Sequence, residues 1–461
     1  MPYVSLNPVS SQVLLTHTSW DSVRLATALE QAHLAQQHWA QTPITRRAEV
    51  LRNIAAHLRA RADDYAALIT QEMGKLLREA RAEVEKCASG CDFYAHHAEE
   101  FLRDETVKTD AGKSYVAYYP LGVVLAVMPW NFPFWQVFRA AAPALMAGNA
   151  VVLKHASNVP QCALALQRIF NDSGLPGGLF TTLMIESDQV ADAIAHPAVQ
   201  AVTLTGSETA GRKVAACAGQ HLKKCVLELG GSDPFIVLRD ADIEFTVEQA
   251  VASRFLNCGQ SCIAAKRFIL VPEIAEAFLA AFRTKVEALK LGDPTHDTTD
   301  LGPMARLDLR EMLHHQVTDS IAQGSVALTG CKPAEGSGYF YPASILDQVT
   351  EKARAYHEEL FGPVAVVIRA ANEDDALRIA NQSRFGLGSS IWSQDVVRAE
   401  QLAVRLQAGC TFINGMVKSD PRLPFGGVKA SGFGRELSRH GIREFVNAKT
   451  VWIRRVRTLS R

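Results

Sequence analysis

From Leu121 onward, short apolar runs alternate with helix-like stretches, and this alternation leaves few possible folds. The runs are Val123–Val127, Ala150–Leu153, Thr182–Ile185, Ala201–Leu204 and Cys225–Leu227; the helix-like stretches are Phe134–Met146, Gln161–Asn171, Asp188–Ala195 and Thr209–Gln220. Near-continuous apolar strands separated by helices imply parallel strands buried on both faces, a doubly wound α/β sheet. A second such region runs from about Pro234 to Cys410, with Phe268–Val271 and Val364–Ile368 among its runs. At 461 residues the chain is too long for one core and suits two or three domains. The first hundred residues read as helix, with Val50, Leu51, Ile54 and Leu58 on one face and Thr45 as a candidate N-cap. Two further segments, Ser114–Tyr119 and Val451–Val456, look like strands with no home in either sheet.

Composition narrows the class. Lys plus Arg equals Asp plus Glu at 48 each, so no long-range field steers the chain onto nucleic acid or an anionic membrane. No apolar run approaches the ~20 residues of a bilayer span, and the start lacks a signal-peptide layout. The nine cysteines are scattered without a Cys-x-x-Cys pair, as expected of reduced thiols in a cytoplasmic protein. Cys87–Cys91 and Cys258–Cys262 have no His at metal-site spacing, so no metal is expected.

In doubly wound sheets ligands lie beyond the carboxyl ends of the strands, so the polar residues after each apolar run are the candidates. Cys262 stands in Asn257-Cys258-Gly259-Gln260-Ser261-Cys262, a polar, Gly-containing stretch that suggests an exposed turn and an accessible nucleophile; Cys258 competes on the same grounds. Glu228, before Leu229-Gly230-Gly231, is a candidate general base, or else a solvated acid. Asn131, between Pro129-Trp130 and Phe132-Pro133, either caps the next helix or donates to an oxyanion. Gly206 and Ser207 open a helix after a strand, which suits a phosphate, although the spacing is not the Gly-x-Gly-x-x-Gly fingerprint.

Together the segments resemble the aldehyde dehydrogenase superfamily. The matching motifs, in the family's order, include Pro129-Trp130-Asn131-Phe132-Pro133, Lys154-His155-Ala156-Ser157, Thr205-Gly206-Ser207, Glu228-Leu229-Gly230-Gly231, Gly259-Gln260-Ser261-Cys262, Glu359-Leu360-Phe361-Gly362-Pro363 and Pro424-Phe425-Gly426-Gly427. The resemblance implies an aldehyde dehydrogenase-like α/β fold with two doubly wound domains and an oligomerisation flap. It places an NAD(P)-binding domain at 1–105 and 121–228, a catalytic domain at 229–430, and the flap at 106–120 and 445–461. It implies that Cys262 attacks the aldehyde, that Asn131 and the Cys262 N–H hold the oxyanion, and that Glu228 activates the water that hydrolyses the thioester. NAD+ or NADP+ would be held by Trp130, Asn131, Lys154, Ser157, Gly206, Ser207, Leu229, Glu359 and Phe361. The flap implies a homodimer or homotetramer.

Within the superfamily the chain is most similar to the short bacterial succinate-semialdehyde dehydrogenases that accept either cofactor. That likeness points to Arg139 and Ser419 as the residues binding the substrate's distal carboxylate, with Lys418 and Arg422 as further cations. The alternative for Arg139 is a packed stem paired with a surface acid. Departures are Ser157, where many NAD-specific members carry Glu; Ala140, where most carry Lys; and Leu256, where an Arg is expected. A related dehydrogenase for glutarate semialdehyde or an aliphatic aldehyde, and a non-catalytic scaffold, are the rival readings.

Overall fold

The computed structural model describes residues 3–454, and the apolar runs form its two central sheets. The first has six strands in the order Gly432–Phe433, Lys224–Glu228, Val199–Thr205, Val123–Met128, Ala150–His155, Phe180–Thr182. Five of them are parallel, and the chain starts at the centre and winds outward both ways. The strand order therefore reverses beside Val123–Met128, which puts the ligand crevice at the carboxyl ends of the central strands. The strands are buried because helices cover both faces, among them Trp135–Met146, whose residues are buried throughout.

The second sheet has seven strands and a separate core. Its order is Val326–Thr329, Ser344–Asp347, Val364–Arg369, Ala265–Leu270, Asp233–Val237, Ser390–Trp392, Phe412–Ile413, all parallel except the first. Stacked aromatics fill its interior, with Phe235 and Trp392 centroids 4.7 Å apart. The chain from Phe425 does not stay with this core. Phe425, Leu437, Ile442 and Phe445 pack into the first core, and Gly432–Phe433 pairs antiparallel with Leu227 and Glu228. This return brings the C-terminal segment against the end of the Glu228 strand.

A third, three-stranded antiparallel sheet joins Glu105–Thr106, Lys113–Pro120 and Val446–Ile453, with Val446 opposite Pro120 and Ile453 opposite Lys113. The final strand begins earlier than its apolar pattern predicts, because Asn447 and Lys449 occupy solvent-facing positions. Arg455 and Val456, at the end of the predicted strand, lie outside the described residues.

Three local expectations need correction. The N-terminal region is not all helix: Tyr3–Leu6 and Val13–His17 pair as a hairpin, too short for their period to stand out. The helix Ile44–Ala60 begins after Pro43 without a side-chain cap, so Thr45 lies inside its first turn; proline's fixed φ suits the entry to a helix. The run expected as strand at Thr182–Ile185 is paired at Phe180–Thr182 instead, one strand-end earlier.

Candidate active site

The loop carrying Cys262 is built on an unusual backbone. Asn257 and Cys258 both have positive φ, at 55° and 54°, forming a left-handed corner after the helix Ile243–Phe255. Such conformations cost of order 1–3 kcal/mol each and persist only where the surroundings fix them. Here the Asn257 side-chain amide donates to the Asn131 carbonyl at 2.8 Å and to the Gln260 carbonyl at 3.2 Å. Lys266, buried at the start of the next strand, donates to the Ser261 and Cys262 carbonyls at 2.8 and 2.7 Å. Gly231 fits so closely beneath the loop that a Cβ there would lie 2.6 Å from the Cys262 carbonyl oxygen.

This geometry separates the two cysteines. Cys258 points into the second core and is buried. Cys262 is half-buried and lines a cavity of about 90 Å³ together with Lys86, Trp135, Arg139 and Ser419. It is therefore less exposed than the polar sequence around it suggests. Burial pushes its thiol up to about 12, while Arg139 and Lys266 pull it down. Its backbone N–H has no hydrogen-bond partner among the described residues.

Asn131 does not cap the following helix. Glu83 does so, accepting from the Phe134 and Trp135 N–H groups at 2.9 and 3.0 Å. The Asn131 amide instead donates to the Gln260 carbonyl at 3.0 Å, two residues before Cys262, which turns it toward the nucleophile loop.

Glu228 ends its strand 1% exposed, and neither carboxylate oxygen has a partner among the described residues. Burial, and secondly Glu436, hold its carboxyl well above the ordinary range, against the pull of Arg139. Gly426 makes room for it: at φ 154° it has no Cβ, and one would stand 2.6 Å from Glu228 Oε1. A desolvated, unpaired carboxyl of this kind is a candidate acid–base group.

Arg139 lies on the cavity wall but its fork is engaged. It forms a buried ion pair with Glu436 and donates to Thr205 Oγ1 at 3.2 Å, with the guanidinium 4.6 Å from the Phe425 ring centroid. The acid considered as its structural partner thus exists, and it is buried rather than at the surface. Ser419 is buried too, accepting from Lys86 Nζ at 2.8 Å and from Trp135 Nε1 at 3.0 Å. Lys418 is exposed, and Arg422 is taken up by Asp420.

The groove expected for the cofactor opens at the carboxyl ends of the first sheet, with a volume of about 600 Å³ and Val127, Lys154, Leu204 and Ser207 on its walls. Lys154 is buried and, among the described residues, donates only to the His155 carbonyl at 2.9 Å; burial lowers its ammonium to about 8. Ser157 is exposed in the turn just beyond. Ser207 caps the helix Glu208–Gln220 by accepting from Ala210, and the Gly206 N–H donates to the Glu228 carbonyl at 3.0 Å. Leu229 packs into the first core against Gly211. Trp130 and Phe361 meet edge to face at 5.9 Å. Glu359 accepts from the Gly231 N–H at 3.1 Å and pairs with Lys266 at 3.2 Å. A buried ammonium with no carboxylate partner among the described residues and a helix N-terminus, both on this groove, fit a dinucleotide.

Sequence reasoning missed Lys86, Glu83, Lys266 and Glu436. Lys266 carried a legible signal, since Lys266-Arg267 opens an otherwise apolar strand. Lys86 and Glu83 carried none, lying on the long helix Leu77–Phe101 among many charged residues.

Residues 2–451 match the aldehyde dehydrogenase family, and the chain belongs to that family. It is 50% identical to a probable succinate-semialdehyde dehydrogenase [NADP(+)] of Synechocystis sp., over 98% of this chain and 100% of the relative. It is 48% identical to the succinate semialdehyde dehydrogenase [NAD(P)+] of Escherichia coli, over 98% of each. Among solved structures, succinic semialdehyde dehydrogenase from Streptococcus pyogenes in complex with NADP+ superposes with a TM-score of 0.96 at 37% identity, covering 98% of this chain and 100% of the other.

Proposed function

We propose that the protein oxidises succinate semialdehyde to succinate with NAD+ or NADP+. The observation that carries this reading is one cavity with the Cys262 thiol on its wall and, sharing it, a cluster of cationic and hydroxyl groups suited to a second carboxylate. The names of the relatives support the same substrate and cofactors.

Bound in the groove, the cofactor supplies the hydride acceptor. Lys154 and Ser157 would hold its adenosine end, Gly206 and Ser207 its pyrophosphate, and Trp130, Leu229, Phe361 and Glu359 the channel toward Cys262. The Gly206 N–H is already bonded to Glu228, so the pyrophosphate relies on the N–H groups beyond it. Cys262 Sγ adds to the aldehyde carbon, and the free Cys262 N–H and the Asn131 amide stabilise the oxygen that becomes negative. Loss of hydride leaves an acyl thioester. Glu228, once ionised, takes a proton from water, and hydroxide addition releases the acid and the Cys262 thiolate. Arg139 stabilises both the thiolate and the ionised Glu228, since its charge pulls both groups downward. It supplies charge where the family's usual Lys is replaced by Ala140.

The sheet of Lys113–Pro120 and Val446–Ile453 serves as the oligomerisation flap of a homodimer or homotetramer, with Tyr119, Trp452 and Ile453 exposed on it. The segments around it divide into a cofactor domain (1–105 and 121–228) and a catalytic domain (229–430), the chain from Phe425 returning to the former. The cytoplasm suits nine cysteines that are all free. Reduced-cofactor production with a panel of aldehydes tests the proposal: succinate semialdehyde should give the highest kcat/KM, and preference for an uncharged aldehyde of equal length would overturn it.

A further inference from the structure

Glu79 and Glu83 stand four residues apart on the helix Leu77–Phe101, so they lie on one face a single turn apart. Their carboxylates hold two separate parts of the active site. Glu83 accepts from the Phe134 and Trp135 N–H groups at 2.9 and 3.0 Å, in the segment that leaves Asn131. Glu79 accepts from the Asn257 N–H at 3.1 Å, at the left-handed corner of the Cys262 loop. Lys75, buried just before the helix, pairs with Glu83 and places its ammonium 3.7 Å from the ring centroid of Phe132, the residue after Asn131.

The two contacts meet at Asn131. The Asn257 side chain donates to the Asn131 carbonyl at 2.8 Å, and the Asn131 amide donates to the Gln260 carbonyl at 3.0 Å. Glu83 thus fixes the chain after Asn131, and Glu79 fixes the corner to which Asn131 is bonded. That corner has φ of 55° and 54° at Asn257 and Cys258, a costly conformation that persists only where its surroundings hold it. The bond to Glu79 holds it from a helix that belongs to neither sheet. Burial lifts the Glu79 carboxyl to about 7, against the pull of Lys75, the Asn257 N–H and Arg78, while Glu83 adds to the rise. Near neutrality a neutral acceptor is therefore close to the native form.

We infer that Glu79, supported by Glu83 and Lys75, is a positioning residue for the oxyanion, setting the Asn131 amide in register with the Cys262 N–H. The inference rests on the reading of the protein as a dehydrogenase that works through an adduct on Cys262. Donors aimed at a developing charge act only when held in place beforehand, and a misplacement of about 1 Å costs roughly a hundredfold in rate. Glu79 touches neither aldehyde nor cofactor in this arrangement. It acts on the charge formed during reaction, so charged and uncharged aldehydes depend on it alike.

The test measures the single-turnover rate of NADP+ reduction with succinate semialdehyde and with butanal, which has the same length and no charge. An unaltered protein that reduces no cofactor with either aldehyde would defeat the functional reading itself, before any variant is made. Given activity, Glu79→Ala should lower that rate about ten- to hundredfold for both aldehydes. KM and the NADP+ Kd should stay within about twofold, the mark of an interaction made only in the transition state. Alkylation of Cys262 by iodoacetamide should also stay within about twofold, because it develops no oxyanion. Glu79→Gln, which keeps an acceptor, should recover most of the rate. In an Asn131→Ala background Glu79→Ala should cost less than about threefold, since the donor it positions is gone. An unchanged rate in Glu79→Ala, an equal loss in alkylation, no recovery with Gln, or an undiminished loss in the Asn131→Ala background would overturn the assignment. Should Glu79→Ala not fold, Glu79→Asp, which withdraws the carboxylate by one methylene, takes its place with the same outcomes.

Discussion

Replacing Ser157 by Glu should turn the protein against NADP+ while leaving NAD+ binding nearly unchanged. The two cofactors differ only in a 2′-phosphate on the adenosine ribose, and Ser157 stands in the turn directly after the strand that ends at Lys154 and His155. A carboxylate about 4 Å from that phosphate would repel it by about 1 kcal/mol per unit charge in bulk water and about 4 kcal/mol at an effective dielectric near 20. Ser157 is exposed, so the lower part of this range applies. The expected penalty is about 1–2 kcal/mol, or roughly five- to thirtyfold in NADP+ affinity. Fluorescence titration of both cofactors, at low and high salt, measures it. Because the pair is exposed, the penalty should shrink as salt is raised, the Debye length falling from about 10 Å at 0.1 M to about 3 Å at 1 M. Equal weakening of NAD+ and NADP+, or a penalty indifferent to salt, would refute the reasoning.

Cys258→Ser should keep most activity and Cys262→Ser should lose it while still binding cofactor, as initial rates and cofactor titration will show; the reverse pattern would contradict the loop geometry. Arg139→Met should slow both succinate semialdehyde and butanal, retard alkylation of Cys262 by iodoacetamide, and lower Tm, because it leaves Glu436 buried and unpaired at a cost of about 3–5 kcal/mol. Loss confined to succinate semialdehyde would make Arg139 a receptor for its carboxylate and not a group serving the catalytic charges. Activity on butanal should rise with pH from neutral into the alkaline range. Cys262 and Glu228 both act in the ionised form, and burial raises both, so protonation at lower pH removes nucleophile and base alike. A profile that falls over that range would contradict this.

The first sheet was legible because its strands are buried on both faces and so appear as unbroken apolar runs. Val123–Met128 and Val199–Thr205 extend their expected limits by a residue or two only. The hairpin Tyr3–His17 and the final strand were harder to read, since short or half-exposed strands leave no such run. Cys262, Glu228 and Asn131 stood out because each is polar in a constrained setting after a strand or beside Pro. What could not be read was pairing across the sequence. Arg139 meets an acid 297 positions later in the chain, and Lys86 a serine 333 positions later. No local pattern marks such partners, and they decide whether a cation is free for a ligand.

The thioester on Cys262 is the central claim, and Glu228→Gln offers the most direct view of it. Without the base, water is not activated, and the acylated protein should accumulate. Intact-protein mass spectrometry after mixing this variant with succinate semialdehyde and NADP+ should show the added mass of one succinyl group. Peptide mapping should place it on Cys262, together with a burst of reduced cofactor equal to the protein present. An unmodified protein that nevertheless gives the burst, or a succinyl group on Cys258, would contradict the account.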